Sequence, residues 1–158
     1  MNIRPIQSSD NILVAKVIRE ILEEHGVNKP GTVYTDPTTD SLFELFQVEN
    51  AFYFVVEEGK HILGGAGIYP TEGLPNRCVE LVKIYLHSSA RGCGIGKQLM
   101  QLCIDKANEL GFDSVYLETM PELSSAIGLY ELMGFKRLKT SLGNSGHFAC
   151  DLWMLKTL

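Results

Sequence analysis

Ala90-Arg91-Gly92-Cys93-Gly94-Ile95-Gly96-Lys97 stands between an apolar, β-rich segment, Arg77 to Leu86, and an amphipathic segment from Ile95 to Leu110. A turn that leads from a strand into a helix in this way is built to hold a phosphate. Glycines at 92, 94 and 96 let the backbone turn tightly and approach a ligand closely, and the free N–H groups of the first helical turn point at the anion. Arg91 and Lys97 add positive charge. Spacing excludes two common phosphate binders. A dinucleotide loop needs G-x-G-x-x-G, but the sixth residue from Gly92 is Lys97 and from Gly94 is Leu99. A triphosphate loop fails as well, because Gln98 follows Gly96-Lys97 and Arg91 takes the place of the first glycine. What remains is R-x-x-G-x-G between a strand and a helix.

Working outward, the helix from Ile95 to Leu110 is expected to bury Leu99, Leu102, Cys103, Ala107 and Leu110 and to end at Gly111. Asp113 to Glu118 is the next strand, so the unit is a β-α-β crossover joining parallel neighbours. Pro121 to Met133 reads as the last helix, with Ile127, Tyr130 and Met133 on one face and Gly134 as a left-handed C′ residue. Phe135 to Thr140 and Phe148 to Leu155 then read as strands. Upstream, Ile3 to Ile6 is a short strand and Ser8-Ser9-Asp10 a cap. Ile12 to Glu24 is a helix with Leu13, Val17, Ile21 and Leu22 inward. Val27 to Thr38 is a loop, Thr39 or Asp40 caps a short helix through Phe46, and Ala51 to Glu57 with His61 to Tyr69 form a hairpin. Pro70 to Asn76 is a second loop. The fold class is mixed α/β: a central, mostly antiparallel sheet of about seven strands with a parallel central pair and helices on both faces.

The glycine run resembles the acetyl-CoA pyrophosphate loop of the GNAT superfamily of N-acetyltransferases. A second signature lies at the matching distance. Ala126-Ile127-Gly128-Leu129-Tyr130, followed by Gly134-Phe135, is similar to that superfamily's helix carrying A-x-x-x-Y and ending in G-F. The resemblance is tightest over Val79 to Phe135. It implies a GNAT domain over residues 1–158 and transfer of an acetyl group from acetyl-CoA to a primary amine of a small molecule or peptide. A catalytically silent coenzyme sensor and a GNAT-fold transferase of another acyl group are the alternatives.

The resemblance also implies roles for individual residues. Arg91, Gly92, Cys93, Gly94, Ile95, Gly96 and Lys97 form the pyrophosphate cradle. Ile84, Tyr85 and Leu86 run beside the pantetheine arm, and Thr119 and Ala126 contact the coenzyme. Tyr130 is the acid for the leaving thiolate. Glu80, a carboxylate near the start of an otherwise apolar strand, is the base for the amine, and burial would raise its pKa usefully. Tyr34, Tyr69 and His147 are the side chains with binding chemistry on the acceptor side. In one position the chain departs from many relatives: Leu123 stands where they carry a coenzyme-contacting asparagine.

Composition narrows the rest. The chain has 158 residues, 45% of them hydrophobic and 21% charged, enough for a core that needs no staples. A net charge of −5 and the lack of a basic stripe argue against nucleic acid and suit a cationic amine. Cys78, Cys93, Cys103 and Cys150 show no C-x-x-C spacing, and His147-x-x-Cys150 is too little for a metal site, so reduced thiols and no metal are expected. No apolar run reaches the roughly 18 residues of a membrane span, and the start has no signal-peptide shape. The expected setting is the cytoplasm, with no membrane partner and with room for a homodimer.

Overall fold

A computed structural model describes residues 1–158, in which seven strands form one sheet. In chain order they are β1 Asn2–Pro5, β2 Phe52–Glu58, β3 His61–Tyr69, β4 Cys78–Leu86, β5 Ser114–Thr119, β6 Lys136–Arg137 and β7 Leu152–Thr157. The helices are α1 Asn11–Glu24, α2 Leu42–Leu45, α3 Ile95–Glu109 and α4 Ser124–Leu132. The spatial order is β1-β2-β3-β4-β5-β7-β6, antiparallel throughout except for the central β4–β5 pair. This is the expected architecture. The α3 crossover enforces the parallel pair, since a strand cannot return parallel to its predecessor through a tight turn.

Two cores lie on the two faces. One holds Leu99, Met100, Cys103 and Ile104 of α3 with Tyr130 and Phe135 against Val79, Leu81, Val115 and Leu117. The other holds Val14, Ile18 and Leu22 of α1 with Leu42 and Phe46 against Tyr53 and Val55. Alternation along β4 and β5 therefore sends Val79, Leu81, Val115 and Leu117 to the α3 face, and Glu80, Tyr116 and Glu118 to the other.

Several boundaries differ from the sequence expectation. Leu13, Leu102 and Leu110 are 44%, 38% and 38% exposed rather than inward. Each sits one step outside a stripe whose members are Val14, Ile18, Ile21 and Leu22 in α1, or Leu99, Met100, Cys103, Ile104 and Ala107 in α3. The short helix is preceded by a 3₁₀ turn, Pro37–Ser41, capped by Asp36, whose carboxylate accepts from the Thr38 N–H at 2.9 Å. Thr39, expected as a cap, is buried and donates to the Val33 carbonyl, while Asp40 pairs with Arg19. Pro121–Leu123 forms its own 3₁₀ turn ahead of α4.

The largest differences are near the end of the chain. Of the expected Phe135 to Thr140 strand only Lys136–Arg137 is strand, with the Leu138 N–H donating to the Trp153 carbonyl at 2.8 Å just beyond it, and the terminal strand begins at Leu152 rather than Phe148. Side-chain and backbone anchors lift the intervening segment off the sheet. The Leu142 N–H donates to the Tyr116 hydroxyl at 3.0 Å, and the Ala149 N–H donates to the Gly31 carbonyl at 3.1 Å. Phe148 packs on Gly31 and stays 82% exposed.

Candidate active site

The parallel pair opens the site. Its register runs Cys78↔Ser114, Val79↔Val115 and Glu80↔Tyr116 and then stops, although β4 continues through Leu86 and β5 through Thr119. From Leu81 onward the β4 edge that faces β5 has no partner strand and is open to an extended ligand, apart from the Leu86 carbonyl, which accepts from Arg91. A bulge helps part the strands. Between Gly65 and Gly67 of β3, β4 carries an extra residue, Lys83, held at φ +50°, and its carbonyl accepts from the buried Tyr53 hydroxyl at 2.9 Å.

The glycine loop lies at the mouth of this parting. Gly92 and Gly94 have φ of +76° and +84°, a conformation that favours glycine. No N–H from Gly92 to Lys97 bonds to a backbone carbonyl, and Gln98 is the first to do so, donating to Gly94 at 3.2 Å. Six consecutive donors therefore stand free at the N-terminus of a 15-residue helix. A cleft of about 430 Å³ runs from this loop along Ile84, Tyr85 and Leu86 to Ala126 and Tyr130. Its shape and donors fit a long thioester with a phosphate head.

Most of the expected coenzyme residues come together there. Arg91, Gly92, Gly94, Gly96 and Lys97 line the cleft with Ile84, Tyr85, Leu86, Ala126 and Tyr130. Cys93 and Ile95 offer backbone only. The Cys93 thiol turns back to the Ala90 carbonyl at 3.3 Å, and Ile95 is buried in the core. Arg91 is less free than its charge suggests, because its guanidinium makes two hydrogen bonds to Glu24, at 2.9 and 3.0 Å, and a third to the Leu86 carbonyl at 2.8 Å. Thr119 does not line the cleft. It is buried at the end of β5 with its Oγ1 unpartnered. Ile21 and His25 of the α1 end, Ser125 and Leu132 line the cleft without any local sequence signal. Leu123 is there too, so the wall is apolar where an asparagine was the usual residue, with the Ser125 hydroxyl two residues on.

Tyr130 approaches from the α3 face, where its ring meets Phe135 edge-on at 6.1 Å. Burial raises its pKa, so it holds its proton. Glu80 lies on the opposite face, in the last residue pair before the strands part. Only 3% exposed, it accepts a short hydrogen bond from the Thr71 hydroxyl. Burial pushes its pKa up to about 7; the Thr71 hydrogen bond opposes this and the nearby Glu118 charge adds to it. Tyr69 and Tyr116 stand across from it on β3 and β5.

Of the other residues expected on the acceptor side, His147 belongs to a charged network. Asp36 accepts from Lys83 Nζ at 2.8 Å and lies 3.0 Å from His147 Nε2. Burial works against the Asp36 charge, but the bonds from His147, Lys83 and Thr38 outweigh it and hold the carboxyl well below the usual range. Glu118 accepts from the Tyr116 hydroxyl at 2.8 Å and the Ser145 hydroxyl at 2.6 Å. Tyr34 is not part of the network. Its hydroxyl donates to Glu23 on α1 at 2.7 Å. Cys150 is a neighbour that sequence reading left as a structural thiol. It feels the charges of Glu118 and Glu80, and burial pushes it up to about 12. Asp36 and Lys83 carried no local sequence signal.

Comparison with known proteins bears on the family and the fold. The model of the acetyltransferase (GNAT) family matches residues 16–135. The uncharacterized N-acetyltransferase YjgM of Escherichia coli (strain K12) is 36% identical over 156 residues, covering 98% of this chain and 93% of that protein. A GNAT-family acetyltransferase structure from Staphylococcus aureus Mu50 superposes with a TM-score of 0.84 at 19% identity, covering 99% of this chain and 98% of that one. A phosphinothricin acetyltransferase from Sinorhizobium meliloti, solved in complex with AcCoA, has a TM-score of 0.72 at 23% identity, covering 99% and 88%. These two structures share the fold.

Proposed function

This chain belongs to the GNAT acetyltransferase family, and from that premise we propose that it moves an acetyl group from acetyl-CoA directly to a primary amine of a small molecule or peptide. The observation that carries the reading is the parting of β4 from β5 after Glu80, with free loop N–H groups at its mouth and Tyr130 and Glu80 on its two faces. No metal enters the reading.

When bound, acetyl-CoA supplies a thioester carbonyl and a thiolate leaving group. The N–H groups of residues 92–97 bind the pyrophosphate, and the β4 edge at Ile84 to Leu86, open except at the Leu86 carbonyl, orients the pantetheine amides as an added strand would. Glu80 takes a proton from the acceptor ammonium so that the nitrogen arrives neutral. With a pKa of about 7 it is ionised in half the molecules near neutral pH and still basic enough to be useful. Tyr130 holds its proton at Oη, gives it to the leaving sulfur and regains one from the acylated nitrogen.

Coenzyme A release with a panel of amines, followed across pH, tests this. Activity is expected to rise with pH through about 7, because Glu80 acts only when ionised. Glu80→Gln loses rate and the limb together; retention of both removes Glu80 from the chemistry. Tyr130→Phe keeps the packing and is expected to lower kcat on the order of 10² while acetyl-CoA affinity stays near normal. Turnover near the parent rate would return Tyr130 to a packing role.

A further inference from the structure

Lys83 is unusual for a lysine. Its side chain is 4% exposed, it sits on a strand bulge at positive φ, and it lies three residues from Glu80. A buried ion pair is a poor source of net stability, and a non-glycine residue in this conformation is strained, so the arrangement calls for a use other than stability. Its partner indicates what that use is. Asp36 joins Lys83 on β4 to His147 on the segment between β6 and β7, while Asp36 itself belongs to the α1–α2 loop.

That segment, residues 138–151, is tied down along its length. Leu142 is held by Tyr116, the Asn144 N–H by the Glu72 carbonyl at 2.8 Å, Ser145 by Glu118, His147 by Asp36, and Ala149 by Gly31. The anchors come from the β3–β4 loop, the Glu80 face of β5 and the α1–α2 loop. The segment is thus a strap across the face of the sheet on which Glu80 is buried, and Thr71 closes on Glu80 from the β3–β4 loop. A peptide reaching Glu80 would have to displace the strap along with its hydrogen bonds. The smaller the amine, the fewer of these bonds it has to displace.

Resting on the transferase reading above, we propose that Lys83, Asp36 and His147 are positioning residues that clamp this strap, and that the acceptor is a small, free, cationic amine rather than the terminus or side chain of a peptide. The charge balance agrees. Lys83 is matched by Asp36, which leaves the Glu80 and Glu118 carboxyls under the strap with hydroxyl partners and no ion pair of their own.

The test follows one amine in three forms: free, within a tripeptide and within a ten-residue peptide. Coenzyme A release is measured for the parent protein and for His147→Ala, which removes one of the strap's anchors and loosens it there while Lys83 keeps Asp36. The parent's kcat/KM is expected to fall by about 10² or more along the series, and His147→Ala to narrow that gap by about tenfold through the KM of the longer acceptors. Acetyl-CoA affinity by calorimetry is expected to stay within about twofold. A flat series in the parent, or an equal loss for all three acceptors in His147→Ala, overturns the proposal.

A second measurement does not depend on turnover. Cys150 ends the strap partly buried and Cys93 is exposed, so a bulky maleimide is expected to label Cys93 alone in the parent and both thiols in His147→Ala. Equal labelling of the two thiols in the parent overturns the clamp. If acetyl-CoA binds but no amine releases coenzyme A, the transferase reading has failed, and the labelling still decides the strap.

Discussion

The two sides of the cleft are made in different ways. The polar part of the proposed coenzyme side comes from one contiguous stretch, Ile84 to Lys97, and what it presents is mostly backbone: six free N–H groups and a strand edge without a partner strand. The acceptor side is assembled from four separate segments, and what it presents is charged or hydroxyl side chains: Asp36, Glu80 with Lys83, Glu118, and His147. A backbone site tolerates side-chain change as long as its dihedral angles survive. A side-chain site built on buried charge does not, because each member is the counter-ion or donor of another.

The largest expected effect is on the acceptor side. Asp36→Ala strands a buried ammonium, and a loss of stability of about 3–5 kcal/mol in urea unfolding is expected, most of it recovered in the double variant with Lys83→Met. No loss would mean that Lys83 finds water, and the contrast between the two sides would weaken. Glu80→Gln acts in the opposite direction. Its carboxyl has a raised pKa, so the folded protein keeps a proton that the unfolded chain releases, and stability falls as pH rises from the ordinary value near 4.5 to about 7. The glutamine variant is therefore expected to be more stable than the parent at pH 8 by on the order of 3 kcal/mol, with no difference below the ordinary carboxylate range. Thermal melts at the two pH values decide it.

The coenzyme side should respond only where the backbone is touched. At Gly94 an added Cβ would meet nothing within 4 Å, so Gly94→Glu folds. It still forces a side chain into the left-handed region and puts a negative charge at the anion site, and acetyl-CoA affinity is expected to fall by about 10² or more in calorimetry. Cys93→Ala, one residue away, is expected to change affinity by less than about twofold, since this position lends only its N–H. A large effect there would make the loop a side-chain site after all.

This contrast also decides how much could be read from the sequence. The β-α-β unit, the parallel pair and the Arg91 to Lys97 turn were legible because glycine spacing and helical periodicity are local. Tyr130 was placed by likeness to a family and Glu80 by its position on an otherwise apolar strand, and the structure puts the two on opposite faces of one parting. Asp36 and Lys83 were not legible, because nothing in Asp36-Pro37 or Val82-Lys83-Ile84 announces a partner tens of residues away. The expected strand at Phe148 failed for a related reason. An apolar run reads as a strand until a distant backbone, here Gly31, offers it a different neighbour. His25 was missed because the wall it completes belongs to another part of the chain.

The bond between Arg91 and Glu24 has a consequence for ionic strength. A bare guanidinium at a phosphate site attracts its ligand over a Debye length and loses much of that attraction as salt is added. Here the guanidinium already has an anion, with the Glu24 carboxyl held below its ordinary pKa first of all by the hydrogen bond from Arg91. An arriving diphosphate that takes over Arg91 swaps one anion for another, so that residue gains little long-range charge. What remains is Lys97 and a row of short-range backbone dipoles, which salt screens weakly. Acetyl-CoA affinity is therefore expected to change only a few-fold between about 50 and 300 mM salt. The cradle is set to hold a highly charged ligand at contact rather than to draw it in from a distance.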